Sequence, residues 1–501
     1  MKSVAVSGNH LVDETGQLVQ LRGVNISALE FYPIDNAQVP PGGKAFDYWG
    51  GQSPNLKSIA GWTANAIRLP LNEQSYLGQT CTDANGTSKL LADPLGTYRS
   101  VVKTTVDQAT ALGMAVILDL HKNTANATIN GALVTPLSNT SGQSEMADTD
   151  NSIAFWTAVA NDYKGYPNVI FDLFNEPHID NFQNPSSFAP NPGTSIPTGL
   201  NPEASWAWAV WRDGGTGKLI YGDNEVFQQP YQSAGMQAMV NAVRATGATN
   251  VIMAGGVSWA QDSSLWLQFR PIDPAGQLAC SWHAYPSQQD ASYPSFPPGT
   301  WWGIATGSYD WIQAILTAGF PVIIGETGNG QSSQLLPKLL PWADQHNVSV
   351  FAWSWNPGWG SLVSDQNGTP VGDGPAYKSW LQSHAATTGS GGGGVAQFTK
   401  LTLSALPTTR SDGTAVTAND LGSANIYKNG VKYATINAPL SVGETWTDTV
   451  AAVTGDKYTV SVNDTQIPAV EGAQSGPYIV GSVVVVPKAA LSAPTISGAT
   501  A

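Results

Sequence analysis

Two glutamates close strongly apolar runs of this chain: Glu176 in VIFDLFNEPH (169–178) and Glu326 in PVIIGETG (321–328). A carboxylate after so apolar a stretch needs partners or a task. Two carboxylates opposed across a cleft are what glycoside cleavage requires. One protonates the leaving oxygen, and the other attacks or stabilises the sugar cation. Asn175 stands beside the first glutamate. His121 ends AVILDLH, His283 and Tyr285 end LACSWHAY, Trp355 ends VSVFAWSW, and Arg68 lies in NAIRLPL. One glutamate before a proline reads ordinarily as a solvated turn residue. That reading does not account for two, with histidines and a tryptophan ending three further runs. Taken singly, Arg68 also suits a structural ion pair, His121 and His283 core histidines, Tyr285 simple packing, and His178 a loop hydrogen bond.

Elements must position these residues. Eight apolar runs recur at 18–27, 65–71, 115–121, 169–177, 250–256, 278–285, 321–328 and 348–355. They are continuous and not alternating, which predicts parallel strands buried on both faces. Helix signals lie between them. Ser53 as cap and Pro54 in the first turn precede a stop at Gly61, and Asp93 with Pro94 opens a helix that ends at Gly113. This alternation predicts an α/β domain over residues 1–385, a (β/α)8 TIM barrel whose mouth collects the strand ends. The longest insertion, 179–230, is expected over that mouth.

ATTGSGGGGVA marks a flexible linker at 386–396. Residues 397–488 show short β-rich runs, with Asn429–Gly430 as a hairpin signal, and predict a small all-β immunoglobulin/fibronectin-like sandwich. Residues 489–501 read as a tail. The sandwich carries few aromatics, so a spacer is preferred over a sugar-binding module.

The chain has 501 residues, 42% hydrophobic and 12% charged, enough for large folded cores. Its net charge of −14 disfavours nucleic acid and anionic membranes as partners. No run is long enough to span a bilayer. The start, MKSVAVSGNHLVDETG, lacks the apolar stretch of a signal peptide, so either a leader has already been removed or the protein is cytoplasmic. Cys81 and Cys280 have no metal-ligand spacing; a buried free thiol is the preferred reading of Cys280, a disulfide the alternative. Eighteen tryptophans stand out, since sugar rings stack on aromatic planes. Trp206, Trp208, Trp211, Trp259, Trp301, Trp302 and Trp359, with Phe31 and Tyr32, are candidates to line an open groove. About half are expected to pack under loops instead.

The motifs RGVN (22–25), IRLP (67–70), DLH (119–121), NEPH (175–178), HAY (283–285), GETG (325–328) and WSWNP (353–357) together resemble those of glycoside hydrolase family 5, a clan A family of cellulases and β-mannanases. The resemblance covers residues 15–385. It implies a retaining endo-β-1,4-glucanase, secreted and monomeric, that cleaves β-linked polysaccharide or oligosaccharide by double displacement without metal or organic cofactor. It further implies Glu176 as general acid/base and Glu326 as nucleophile. Asn175 would hydrogen-bond the sugar 2-hydroxyl, Arg68 and Tyr285 would orient Glu326, His121 and His283 would line the subsite, and Trp355 would lie beneath the sugar. Thr327–Gly328 and HKNTANATIN depart from the pattern, and with the insertion they bear on the substrate. A β-mannanase, a xylanase or an exo-acting β-glycosidase stay as alternatives, and so does a non-catalytic carbohydrate-binding protein. The intact glutamate pair argues against the last.

Overall fold

All eight apolar runs form strands, and the strands close into one parallel barrel. They are β1 Arg22–Asn25, β2 Ala66–Asn72, β3 Ala115–Lys122, β4 Val169–Asp172, β5 Ile252–Gly255, β6 Leu278–Ala284, β7 Val322–Thr327 and β8 Ser349–Ala352. Each pairs with the next in chain order, and β8 pairs with β1. This computed structural model describes residues 2–31, 53–82, 89–123, 127–129, 132–134, 144–179, 189–191, 194, 202–220, 228–285, 308–328, 335–357 and 361–384 of a first compact unit, Met1–Ala385. In the second unit, Ala386–Ala501, it describes 399–406, 415, 417, 421–428, 431–436, 440, 445–447, 457–464, 478–479 and 495–500. The expected linker lies outside the described residues. Among them, no helix is long and apolar enough to cross a membrane.

The period of two along each strand sorts the barrel interior into layers. Ala66, Ile117, Ile170, Met253, Ala279, Ile323 and Phe351 make an apolar floor. A hairpin of Ala5–Ser7 and His10–Val12 closes it from below, with Val4 and Leu11 in the same cluster. Two residues further along come Arg68, Asp119, Asp172, Ser281 and Gly325 on the same strands, and Trp353 just past the end of β8. A charged layer therefore rests on a dry base, where hydrogen bonds and ion pairs are strong.

At β6 and β7 the register slips, so that His283 pairs with Glu326. Gly325 fits there because a Cβ would come within 3.0 Å of both His283 Nε2 and Ser281 Oγ.

Both helix starts differ from expectation. Asn55, not Ser53, caps Leu56–Gly61, its side chain accepting from the N–H of Ser58. Asp93 reaches the helix Tyr98–Ala111 from outside its first turn, accepting from the N–H groups of Thr97 and Tyr98 at 3.1 and 3.0 Å. Gly113 does follow that helix at φ +75°.

The insertion also corrects expectation. Its helix, Pro202–Asp213, packs into the barrel wall beside β5. Trp208 and Trp211 are buried there, their rings 5.0 Å apart, and Trp211 Nε1 donates to the Gly255 carbonyl at 2.8 Å. They are core residues and not cleft residues. The reason is local: after β5 the chain forms only two four-residue turns, Val257–Ala260 and Trp266–Phe269. The indoles supply the missing apolar bulk.

In the second unit, Leu421–Lys428, Val431–Ile436, Lys457–Asp464 and Tyr478–Ile479 form one antiparallel sheet, with Ala424, Ile426, Val460 and Val462 in its core. A second sheet places Thr399–Ala405 between Thr445–Thr447 and Thr495–Thr500. Residues 495–500, expected as tail, are thus a strand, paired from Thr399↔Thr500 to Ala405↔Thr495. Its Thr and Ile suit a pleated edge.

Candidate active site

Arg68 is the hub of the charged layer, fully buried in β2. Its guanidinium meets Asp172 Oδ2 at 3.1 Å, Asp119 Oδ2 at 3.0 Å and Glu326 Oε1 at 2.7 Å. It also donates to Asn25 Oδ1 at 3.0 Å and Asn175 Oδ1 at 2.8 Å. Burial works against its charge, but the three carboxylates outweigh burial and push its pKa above the ordinary value. One cation cannot neutralise three buried anions. Burial accordingly pushes Asp119 up to about 7, against the pull of Arg68, and Asp172 well above its usual value. The hub is both of the things the sequence allowed: a structural ion pair and the clamp on Glu326.

Glu176 follows β4 and Glu326 ends β7, and a carboxylate oxygen of each lies within 4.8 Å of the other and of a His283 nitrogen. Their environments differ. Glu326 is gripped by Arg68 and accepts from the Tyr285 hydroxyl at 2.9 Å, with 6% of its side chain exposed. Glu176 is 22% exposed, and burial pushes its pKa up to about 7, with Arg68 and Lys122 pulling the other way. His283 Nδ1 stands 2.9 Å from Glu176 Oε1 and 3.8 Å from Glu326 Oε2. Burial lowers its pKa to about 3, so the ring is neutral beside the acid.

His121 Nδ1 lies 2.7 Å from Asp119 Oδ2, and burial holds the ring neutral, well below its usual pKa. The second nitrogen, Nε2, then accepts from Asn175 Nδ2 at 3.4 Å. With its oxygen on Arg68, the Asn175 amide has a fixed orientation beside Glu176. Its N–H end is thereby turned toward His121, away from the guanidinium.

The platform residue is a correction. Trp355 is wholly buried, with its ring 4.9 Å from Trp62 at 73°. Trp353 is the partly exposed indole, lying 5.7 Å from the His121 ring at 22°. β8 ends at Ala352, so Trp353 is the last position that keeps the inward parity of Phe351. By Trp355 the chain has turned outward.

Among the remaining aromatics, Trp259 is 40% exposed beside the site and Phe31 is half-buried after β1. Trp206 is half-buried against the main core. Tyr32, Trp301, Trp302 and Trp359 lie outside the described residues, as does the side chain of Cys81. Cys280 is a buried free thiol. His178 makes the expected loop hydrogen bond, Nδ1 to the Glu176 carbonyl at 2.9 Å.

Sequence reasoning missed Asp119, Asp172, Asn25, Trp353 and Lys122. Lys122 ends β3 at 8% exposure, its Nζ 5.2 Å from the Phe31 ring. A signal existed for the aspartates: each interrupts an otherwise apolar strand at an inward position, where only a paired charge is tolerated.

Residues 12–358 match the model of the cellulase family, glycosyl hydrolase family 5. Endoglucanase A of Butyrivibrio fibrisolvens is 28% identical over 178 residues, which are 35% of this chain and only 32% of that protein. Similar solved structures include an endocellulase from Pyrococcus horikoshii in complex with cellotetraose, 20% identical, covering 76% of this chain and 98% of that one at a TM-score of 0.48. A β-glucanase from Saccharophagus degradans is 19% identical, covering 76% and 93% at 0.47. The family match spans more than half of the chain and holds both glutamates and the Arg68 hub. This protein belongs to glycosyl hydrolase family 5.

Proposed function

We propose that the first unit is a retaining endo-β-1,4-glucanase. The observation that carries this reading is the glutamate pair, with oxygens within 4.8 Å of each other. Retaining pairs stand about 5–5.5 Å apart, whereas inverting pairs need roughly 6.5–9.5 Å to admit a water. The unequal environments support a division of labour. Glu326, held by Arg68 and Tyr285, attacks the anomeric carbon, while Glu176, protonated up to about pH 7, gives its proton to the departing oxygen. The sugar is then bound through its anomeric carbon to Glu326. Glu176, now a carboxylate, takes a proton from the incoming water, whose oxygen displaces Glu326 and restores both groups. Asn175 supports the 2-hydroxyl and Trp353 the ring face.

A glucan substrate is favoured by the family and by the name of the bacterial endoglucanase it resembles. A polymeric substrate in turn favours secretion. The second unit is read as an immunoglobulin/fibronectin-like spacer. Product analysis on carboxymethyl-cellulose, glucomannan, xylan and cello-oligosaccharides, with Glu326→Gln as control, tests the reading. Short cello-oligomers with a rapid fall in viscosity are expected. Monosaccharide alone, or turnover confined to another glycan, would overturn it, and proton NMR of the first-formed anomer tests retention.

A further inference from the structure

The acid is fastened to the turn after β5. The Pro177 carbonyl accepts from the Trp259 N–H at 2.9 Å, and His178 Nδ1 donates to the Glu176 carbonyl at 2.9 Å. The His178 N–H is itself held by the Glu145 carbonyl at 2.9 Å. The imidazole and the Trp259 indole are within 6° of parallel, their centroids 5.2 Å apart. One face of the indole is thereby covered, yet the side chain is still 40% exposed.

This placement is costly for the backbone. Ser258, Trp259 and Ala260 have φ of 52°, 55° and 57°. Each such non-glycine residue brings its Cβ too close to the following carbonyl oxygen. The turn is over-determined from beneath. Asp262 N–H donates to Val257 O at 3.1 Å, and Gly256 has no room for a side chain: a Cβ would lie 1.9 Å from Asp262 O and 3.2 Å from Trp208. Strain that persists only because its surroundings enforce it is a pointer to function. What is enforced here is the position of an indole relative to the backbone of the acid.

We propose that His178 is a positioning residue that couples a sugar seated on Trp259, on the leaving-group side, to the placement of the Glu176 carboxyl. The inference rests on the glycosidase reading above. The acid must reach the oxygen that joins the reacting sugar to the departing one. An aromatic plane tied to its own backbone, by one stack and two hydrogen bonds, is placed to carry the departing sugar. Trp353, beside His121, carries the other. His178 is neutral, because burial lowers its pKa to about 4, so its Nδ1–H stays on the carbonyl.

The test compares His178→Ala, His178→Phe and Trp259→Ala on two substrates. One is cellotetraose, whose leaving sugar needs both a platform and a proton. The other is 2,4-dinitrophenyl β-cellobioside, whose leaving group needs neither. On cellotetraose, His178→Ala should lose about tenfold or more in kcat/KM, with kcat affected as well as KM. On the activated glycoside the loss should be under about threefold. His178→Phe keeps the stack and should recover part of the loss. The double variant His178→Ala/Trp259→Ala should be little worse than Trp259→Ala, since coupled residues do not add. Equal losses on both substrates, or losses that multiply in the double variant, would overturn the proposal. A wild-type enzyme inactive on both substrates would instead sink the glycosidase reading itself.

Discussion

His283 Nδ1 lies 2.9 Å from the Glu176 carboxyl, on a neutral ring that brings no positive charge to the acid. A charged neighbour would favour ionisation. A neutral one leaves burial dominant, and the proton stays on Glu176 up to about pH 7.

The pH dependence of kcat/KM should therefore have an alkaline limb near pH 7. Above it Glu176 has lost the proton it must give, and the rate should fall about tenfold per pH unit. With 2,4-dinitrophenyl β-cellobioside, the limb should be absent from the glycosylation step of Glu176→Gln. A limb that survives unchanged in that variant would assign it to another group.

Arg68 and Glu326 should separate stability from catalysis. Glu326→Gln leaves the guanidinium two aspartates, so the fold should persist while kcat falls by at least about a thousandfold. Arg68→Met leaves Asp119, Asp172 and Glu326 without their buried counter-charge. Denaturant unfolding should then show a loss of about 3–5 kcal/mol. Comparable stability in the two variants would contradict the hub.

Trp353 and Trp355 should exchange the roles their motif suggests. Trp353→Ala should keep its melting temperature and lose about two- to tenfold in kcat/KM, as a lost stacking surface worth about 0.5–1.5 kcal/mol requires. Trp355→Ala leaves a hole against Trp62, and should cost about 3–5 kcal/mol of stability. Calorimetry and kinetics on the same two samples decide it.

Glu30 supplies a pH dependence of stability. It is wholly buried after β1, bonded to the Ser27 hydroxyl and accepting from Ala28 N–H at 2.7 Å, and burial pushes its pKa from 4.5 to about 7. A folded-state pKa above the unfolded one means stability that is present below about pH 4.5 and lost as pH rises through about 7, by roughly 3 kcal/mol in all. Glu30→Gln should flatten that fall in denaturant midpoints measured between pH 5 and 8. An unchanged slope would show that Glu30 is not its source.

The barrel was legible because burial on both faces leaves an unbroken apolar run; in β3 all eight residues are buried. Glu176 and Glu326 were legible because they end such runs. Asp119 and Asp172 were not, since a single polar residue inside an apolar run looks incidental until strand parity shows that it points inward. The tryptophans divide for a related reason. An indole suits a sugar face and a protein core equally, and only the gap left by the short turns after β5 makes Trp208 and Trp211 core. In WSWNP, where the strand ends decides between Trp353 and Trp355, and composition does not encode that end.

The strand at Thr495–Thr500 bears on where this chain can be cut. It covers one side of Thr399–Ala405, while Thr445–Thr447 covers part of the other. A protein ended at residue 488 would bare unpaired amides and carbonyls along one side of Thr399–Ala405, a template for another chain. Removing this strand would therefore be expected to make the chain stick to itself through its second unit while its barrel stayed intact.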